Sequence, residues 1–398
     1  MEGLEDSMEG AGRRRVDDDV AGALVQLVRT FARDVVAPRV QHYDLEERIP
    51  RDILDRMAEL GLFGGTVPVE LGGAGLDHVT FSRVIEEMAR VDHILGVLMA
   101  MPSALVGGGL LHYGSDEQKQ RWLVPLAAGR IFGGAGVTEP QSGSDVAGMA
   151  TTYERTAGGG FVLRGSKVWI SNLDIASFFI TFATRDRSLR HRGISAFVVP
   201  AGAPGVQTHP FKNKLGFRPI CTGELLLDGV ELGPEALLGE EGQGFAVAMT
   251  AVERGRLSVA ARAVGLAQSC LDDSVAYARE RIVFGEPIGS FQMIQQKLAD
   301  MAVEIEAARL MVRSCAEAMD RGRRARREAS MAKMFASDVA QRAATAAVQV
   351  HGAYGASEEN RVARFYRDAK IFQIVEGTNE VHRMLIAREL LAEAGERG

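Results

Sequence analysis

Four short stretches of this sequence carry side chains whose types and spacing could do chemistry. In Ile374-Val375-Glu376-Gly377-Thr378-Asn379-Glu380, a carboxylate lies between an apolar stretch and a glycine that lets the backbone turn. A carboxylate drawn into an apolar pocket has its pKa raised above about 4.3 and becomes a base useful near neutral pH. Read alone, the segment fits a capping or surface glutamate more simply. In Val137-Thr138-Glu139-Pro140-Gln141-Ser142-Gly143-Ser144-Asp145, a small polar loop follows an apolar run. Its N–H groups and hydroxyls could bond an electron-rich heterocycle or a phosphate; Gly, Ser and Asp are also ordinary turn residues. Lys167-Val168-Trp169-Ile170-Ser171-Asn172 sets a tryptophan beside a serine at a strand end. The pair could cover a flat aromatic cofactor and bind its edge, although a lone tryptophan is more often core. Arg281, then Phe284-Gly285 and Phe291-Gln292, could clamp a phosphate; a salt-bridged surface arginine is commoner.

Other chemistries have no foothold. The eight histidines include no H-x-x-x-H or H-E-x-x-H pair, so no metal site is expected. No G-x-S-x-G elbow offers a hydrolase nucleophile. The 46 Lys+Arg against 52 Asp+Glu leave a net charge of −6, which argues against a nucleic-acid partner. The one dense basic block, Arg321–Arg327, reads as a solvated interhelical loop. No apolar run approaches the ~18 residues of a membrane span, and the acidic, polar start does not read as a signal peptide. Three cysteines without metal-type spacing favour a reduced, cytoplasmic setting.

The elements that must position these stretches come in three blocks. Residues 1–15 read as a flexible tail. Residues 16–130 are helical in pattern. Ser115 and Gln118 have capping-box spacing and open a helix carrying Trp122 and Leu126, while Gly72-Gly73-Ala74-Gly75 reads as a turn. Residues 131–243 hold short apolar or alternating runs broken by Gly, Pro, Asn and Asp, as in a compact β domain. From 244 to 398 the helical period returns. Ser290 is placed to N-cap a long helix whose Ile294, Leu298, Met301, Ile305, Ala308 and Val312 form an a/d stripe for a bundle.

The order α, β, α with VTEPQSGSD, KVWISN, ERGRLSVAARAVGLAQ, RIVFGEPIGSFQ, QVHGAYG and RDAKIFQIVEGTNEVHR closely resembles the acyl-CoA dehydrogenase family, from about Val20 to Leu391. The resemblance implies an N-terminal helical domain, a middle β-barrel and a C-terminal four-helix bundle. It implies FAD between barrel and bundle, reaching a neighbouring subunit of a homodimer or homotetramer. On this likeness Val137, Thr138, Ser144, Trp169 and Ser171 would meet the flavin. Arg281, Phe284, Gln292, Gln349, Gly352 and Ala353 would hold the adenine dinucleotide half across a subunit interface, and Thr378 and Glu380 would complete the site. Ser144, Glu253, Arg256 and Gly377 would face substrate, with Arg256 near the CoA arm.

Glu376 matches the family's base, which reverses the simpler reading given above. It would remove the pro-R α-proton of an acyl-CoA while the β-hydride passes to flavin N5, giving the trans-2-enoyl-CoA. The thioester carbonyl would be polarised by the Glu376 N–H and a ribityl hydroxyl. One branch of the family carries its base on the helix around Glu253–Arg256; that position is Gly255 here, and Glu253 points elsewhere. The resemblance implies an electron-transferring flavoprotein as the acceptor. Alternatives keep the chemistry on an acyl-carrier protein, with Arg321–Arg327 as one candidate basic patch for it, use O2 as an oxidase, or bind acyl thioesters without turnover; Glu376 weighs against the last two. Departures from the pattern carry their own expectations. Ala353 narrows a close backbone approach, and Ile282-Val283 replaces a more polar pair. Gly133-Gly134-Ala135-Gly136 suggests extra room for a branched or cyclic acyl group. Gly96 stands where the glutaryl-specific branch has an arginine, which disfavours a dicarboxylyl substrate. Met99 and Met101 fit an acyl pocket or the core equally well.

Overall fold

The structure is a computed structural model that describes residue 13 and residues 15–396. Most of the expected tail, residues 1–12 and 14, lies outside the described residues. Arg13 is tied down: its N–H donates to the Asp320 carbonyl (2.7 Å) and Nη1 to the Leu76 carbonyl (3.2 Å).

The helical first block holds α1 (Asp18–Phe31), α2 (Val40–Leu45), α3 (Arg51–Glu59), α4 (His78–Ala89), α5 (His93–Ala100), α6 (Gly107–Tyr113), α7 (Asp116–Gln118) and α8 (Val124–Ala127). Aspartates start several of them. Asp77 accepts from the Thr80 N–H at 2.6 Å and Asp92 from the Ile94 N–H at 2.8 Å, each satisfying an orphan amide of a first turn. The capping box forms in both directions between Ser115 and Gln118. A π turn over Lys119–Leu123 links α7 to α8 and sets Trp122 against Phe178. Gly72 and Gly75 both have positive φ, as the turn needs.

The middle block contains β1 (Phe132–Gly136), β2 (Thr152–Arg155), β3 (Phe161–Ser171), β4 (Ala176–Thr184), β5 (Ile194–Pro200), β6 (Val206–Pro210), β7 (Thr222–Leu232) and β8 (Leu237–Leu238). They form one sheet in the order β6-β7-β3-β2-β4-β5-β8, with β1 added in parallel on β4. The expected barrel is corrected. Among the described residues β6 and β8 end the path without pairing to each other, and the two residues of β8 cannot carry a ladder round to β6. The room expected at β1 is corrected too. A Cβ on Gly133 would lie 2.7 Å from Val106 and 2.9 Å from Phe178, and one on Gly136 would lie 2.6 Å from the Thr181 hydroxyl. Those glycines admit neighbouring side chains rather than leaving space.

The last block is built on α9 (Gly244–Glu280), a 37-residue helix. A small hairpin, β9 (Ile282–Val283) and β10 (Glu286–Pro287), leads to α10 (Gln292–Asp320), α11 (Arg326–His351), α12 (Arg361–Phe372) and α13 (Asn379–Glu396). Buried alanines, among them Ala260, Ala263 and Ala267 on α9 and Ala336, Ala340 and Ala343 on α11, belong to one core and allow close helix approach. The a/d stripe of α10 faces inward, with Met301, Ile305, Ala308 and Val312 buried. Ser290 does not cap this helix; Phe291 holds that position, and the Ser290 hydroxyl instead donates to Glu286 and to the Pro287 carbonyl. Three arginines of the basic block where α10 meets α11 are in pairs, Arg321 with Glu317, Arg326 with Glu389 and Arg327 with Glu393. No described helix is long and apolar enough to cross a membrane. Because α9 also packs on α4 and α5, it joins the first block to the last and carries residues of both interfaces.

Candidate active site

Glu376 stands in the turn between α12 and α13. Its φ is 55° and that of Gly377 is 91°, so two successive residues leave the ordinary regions. A non-glycine residue held left-handed costs energy and persists where surroundings fix it. Lys333, fully buried on α11, supplies that fixing: Nζ donates to the Gly377 carbonyl (2.8 Å) and to Asn379 Oδ1 (3.0 Å). Asn379 Nδ2 in turn donates to Ser337 Oγ (2.9 Å) and Asp338 Oδ1 (2.7 Å). The Glu376 N–H has no partner among the described residues and is free to donate.

Burial pushes the Glu376 carboxyl up to about 7, against the pull of Arg262, Arg256 and Lys333. Burial likewise pushes the Lys333 ammonium down to about 7, with the Glu376 charge opposing. Two buried guanidiniums and an amine that is itself half protonated near neutrality therefore surround one half-protonated carboxyl, the condition for a general base. The carboxyl also fills a specific gap. A Cβ on Gly255 of α9 would lie 2.6 Å from Glu376 Oε1 and 2.8 Å from Oε2. The two positions considered for a base, 255 and 376, thus converge on one point in space, and only a residue without a side chain at 255 leaves room for the carboxyl. Arg256, on the same turn, is buried and sends Nη1 toward Ser330 Oγ at 3.5 Å. Glu253 is near enough to support the Arg256 charge.

The middle block assembles a second set. The Val168 N–H donates to the Thr138 carbonyl (2.8 Å), which ties the VTEP loop to β3. Beneath it Lys167 Nζ donates to Glu139 Oε1 at 2.7 Å, both side chains buried, and Glu139 also accepts from the Ala150 and Thr151 amides. This network holds Glu139 well below the usual carboxylate range, at about 2. A bulge in the β3–β7 ladder between Lys167 and Ile170 turns the chain, and Trp169 takes φ 63°. The result is a tryptophan 61% exposed, edged by Phe211. Val137 and Thr138 are half-buried, Ser144 is exposed and Ser171 half-buried beside Trp169. An accessible indole with a neighbouring hydroxyl could hold a flat heterocycle. Thr378 and Glu380 open α13 next to Glu376, with Thr378 Oγ1 accepting from the Val381 N–H.

The third set lies apart. Arg281 ends α9 and sits over the Tyr354 ring, and Phe284 at φ 56° is 93% exposed. Gln292, Gln349, Gly352 and Ala353 are exposed as well. No hydrogen bond, ion pair or ring contact among the described residues joins this patch to Glu376 or Trp169. Met99 and Met101 are buried in the core, with Asn172 Nδ2 on the Met101 sulfur. Lys333, Arg262 and the Glu139–Lys167 pair went unread in the sequence. Their signal was a lone charge within an apolar run, as in VAARAVG and SMAKMFAS.

Comparison with known proteins agrees across the whole chain. Models of the acyl-CoA dehydrogenase N-terminal, middle and C-terminal domains match residues 19–130, 134–230 and 242–391. The mitochondrial short-chain specific acyl-CoA dehydrogenase of Bos taurus is 41% identical over 92% of this chain and 89% of that protein. Subunit CarC of the caffeyl-CoA reductase-Etf complex of Acetobacterium woodii is 38% identical over 92% of this chain and 98% of that protein. The structure of butyryl-CoA dehydrogenase from Megasphaera elsdenii superposes with a TM-score of 0.91 at 38% identity, covering 95% of this chain and 99% of that one. With helical, sheet and helical blocks in the family's order, the chain belongs to the acyl-CoA dehydrogenase family of FAD-dependent oxidoreductases.

Proposed function

We propose that this enzyme removes two hydrogens from the α and β carbons of an acyl-CoA thioester, with Glu376 as the base for the α-proton. The observation that carries this reading is the half-buried Glu376, its carboxyl pushed up to about 7 and seated on Gly255 beside Arg256, Arg262 and Lys333. Arg256, Arg262 and Lys333 keep a share of the carboxyl ionised at neutral pH and so ready to accept a proton. The unpartnered Glu376 N–H is free to donate to the thioester oxygen as enolate charge develops there, lowering the barrier without reorganisation. FAD, when bound, supplies the acceptor for the hydrogen that leaves the β-carbon as hydride. Trp169, Ser171, Val137, Thr138, Ser144, Thr378 and Glu380 would hold its flavin end. Arg281, Phe284, Gln292, Gln349, Gly352 and Ala353 would hold the dinucleotide end of a neighbouring subunit's FAD, which accounts for the exposure of the Phe284 ring. Ser144, Glu253, Arg256 and Gly377 would line the path of the thioester. An electron-transferring flavoprotein is the proposed acceptor, supported by likeness to an Etf-complex subunit, and the proposed setting is the cytoplasm.

Anaerobic addition of a panel of acyl-CoAs to the yellow holoenzyme tests the reading. At least one acyl-CoA should bleach the flavin with formation of the enoyl-CoA. Bleaching by none of them, with acyl-carrier thioesters active instead, would transfer the chemistry to a carrier-bound substrate.

A further inference from the structure

Arg262 is a cation whose surroundings in the free enzyme leave it unfinished. It sits on α9 and is 4% exposed. Its Nε reaches only the Ser258 carbonyl one turn back, at 3.4 Å, and its Nη1 is buried without a partner. Among the described residues no carboxylate lies within ion-pair distance of it. A buried guanidinium is ordinarily paired, because an unpaired buried charge is strongly disfavoured.

The fold nevertheless builds a seat for it. The guanidinium carbon lies 5.5 Å from the centre of the Phe372 ring and 5.9 Å from that of Phe217, positions where ring faces hold a cation. Gly96 of α5 gives passage to the stem: a Cβ there would lie 3.1 Å from Arg262 Cγ and Cδ. The one carboxylate whose field reaches Arg262 is Glu376, and Arg262 is foremost among the cations acting on Glu376. The free Nη1 therefore belongs to the neighbourhood of the reacting carbons.

We propose that Arg262 binds a carboxylate at the far end of a short acyl chain, so that the substrate is a dicarboxylyl thioester. A purely hydrocarbon chain sealing this site would exclude water and leave the cation with nothing but ring faces, whereas a terminal carboxylate completes its hydrogen bonds. The expectation against dicarboxylyl substrates drawn from Gly96 is revised, since the space beside Gly96 is already occupied by an arginine arriving from α9. This inference rests on the acyl-CoA dehydrogenation proposed above.

The test uses holoenzyme and anaerobic flavin bleaching with succinyl-, glutaryl- and adipyl-CoA against butyryl-, pentanoyl- and hexanoyl-CoA. The wild type should prefer at least one dicarboxylyl chain about tenfold or more over the monocarboxylyl chains. Arg262→Gln should lower the ratio of that substrate's rate constant to those of the monocarboxylyl chains at least about thirtyfold, whatever it does to all six together. Because all six substrates use Glu376, a general effect of Arg262 on that base cancels in the ratio. Preference of the wild type for the monocarboxylyl chains overturns the assignment whether or not the variant folds, and so does an unchanged ratio in a variant that retains FAD. If monocarboxylyl chains alone bleach the flavin, or if none of the six does while another acyl-CoA does, the dehydrogenation stands and this inference falls; if no acyl-CoA bleaches it, both fall.

Discussion

The Glu376 carboxyl is the point where burial and charge oppose each other, and its titration is visible from outside. Its carboxyl sits near 7, and a base must be ionised to act. The pH profile of kcat/KM should therefore rise through about pH 7 and level off above it. Lys333→Met removes a positive charge and the anchor of the Gly377 carbonyl. That variant should lose kcat and shift the rise to higher pH, where a simple folding defect would lower activity at all pH values alike. The same shift acts on stability in the opposite sense. A carboxyl whose folded pKa is raised keeps its proton in the folded state, so stability falls as pH rises from 4.5 through about 7. Glu376→Gln cannot ionise and should melt at a higher temperature than the wild type at about pH 8 by calorimetry. Little of this was legible from local sequence. Glu376 alone looked like a capping residue, and only the surrounding motifs gave it a role. Arg262 sits inside the ERGRLSVAARAVGLAQ motif without an assigned role and Lys333 lies in none of the motifs; what distinguishes both is burial, which arises when distant segments pack.

At the scale of elements, α9 passes Gly255 under the Glu376 turn and brings Arg256 and Arg262 to it. Gly255→Ala puts a methyl group where the carboxyl now lies. The displaced atoms are the end of a flexible side chain, so the protein should fold and keep FAD. Its kcat should fall at least about tenfold, measured under saturating substrate, because a small misplacement of a catalytic group is costly. Element identities were readable where physics is local: the Ser115–Gln118 box and the α10 stripe depend only on neighbours in sequence. Ser290 failed as a cap because its hydroxyl found Glu286 and the Pro287 carbonyl first. The open sheet, and the bulge that exposes Trp169, depend on pairing between distant strands and had no local signature. The β1 glycines were misread for the same reason, since the side chains filling their space come from β4 and from Val106.

At the scale of the whole molecule, no hydrogen bond, ion pair or ring contact among the described residues joins the exposed patch at Arg281 and Phe284 to Glu376. If the dinucleotide end is held by a neighbour, Arg281→Glu and Glu376→Gln variants should each be inactive alone. Refolded together they should recover activity, since a mixed pair rebuilds one complete site; no recovery would place the whole FAD site in one chain. The central claim concerns the proton, and one measurement addresses it directly. Single-turnover anaerobic bleaching should be compared in wild type and Glu376→Gln, both yellow and FAD-loaded, with the best substrate of the panel. The account predicts that the variant binds substrate but bleaches at least about a thousandfold more slowly. Bleaching at a near-normal rate in the variant would contradict it.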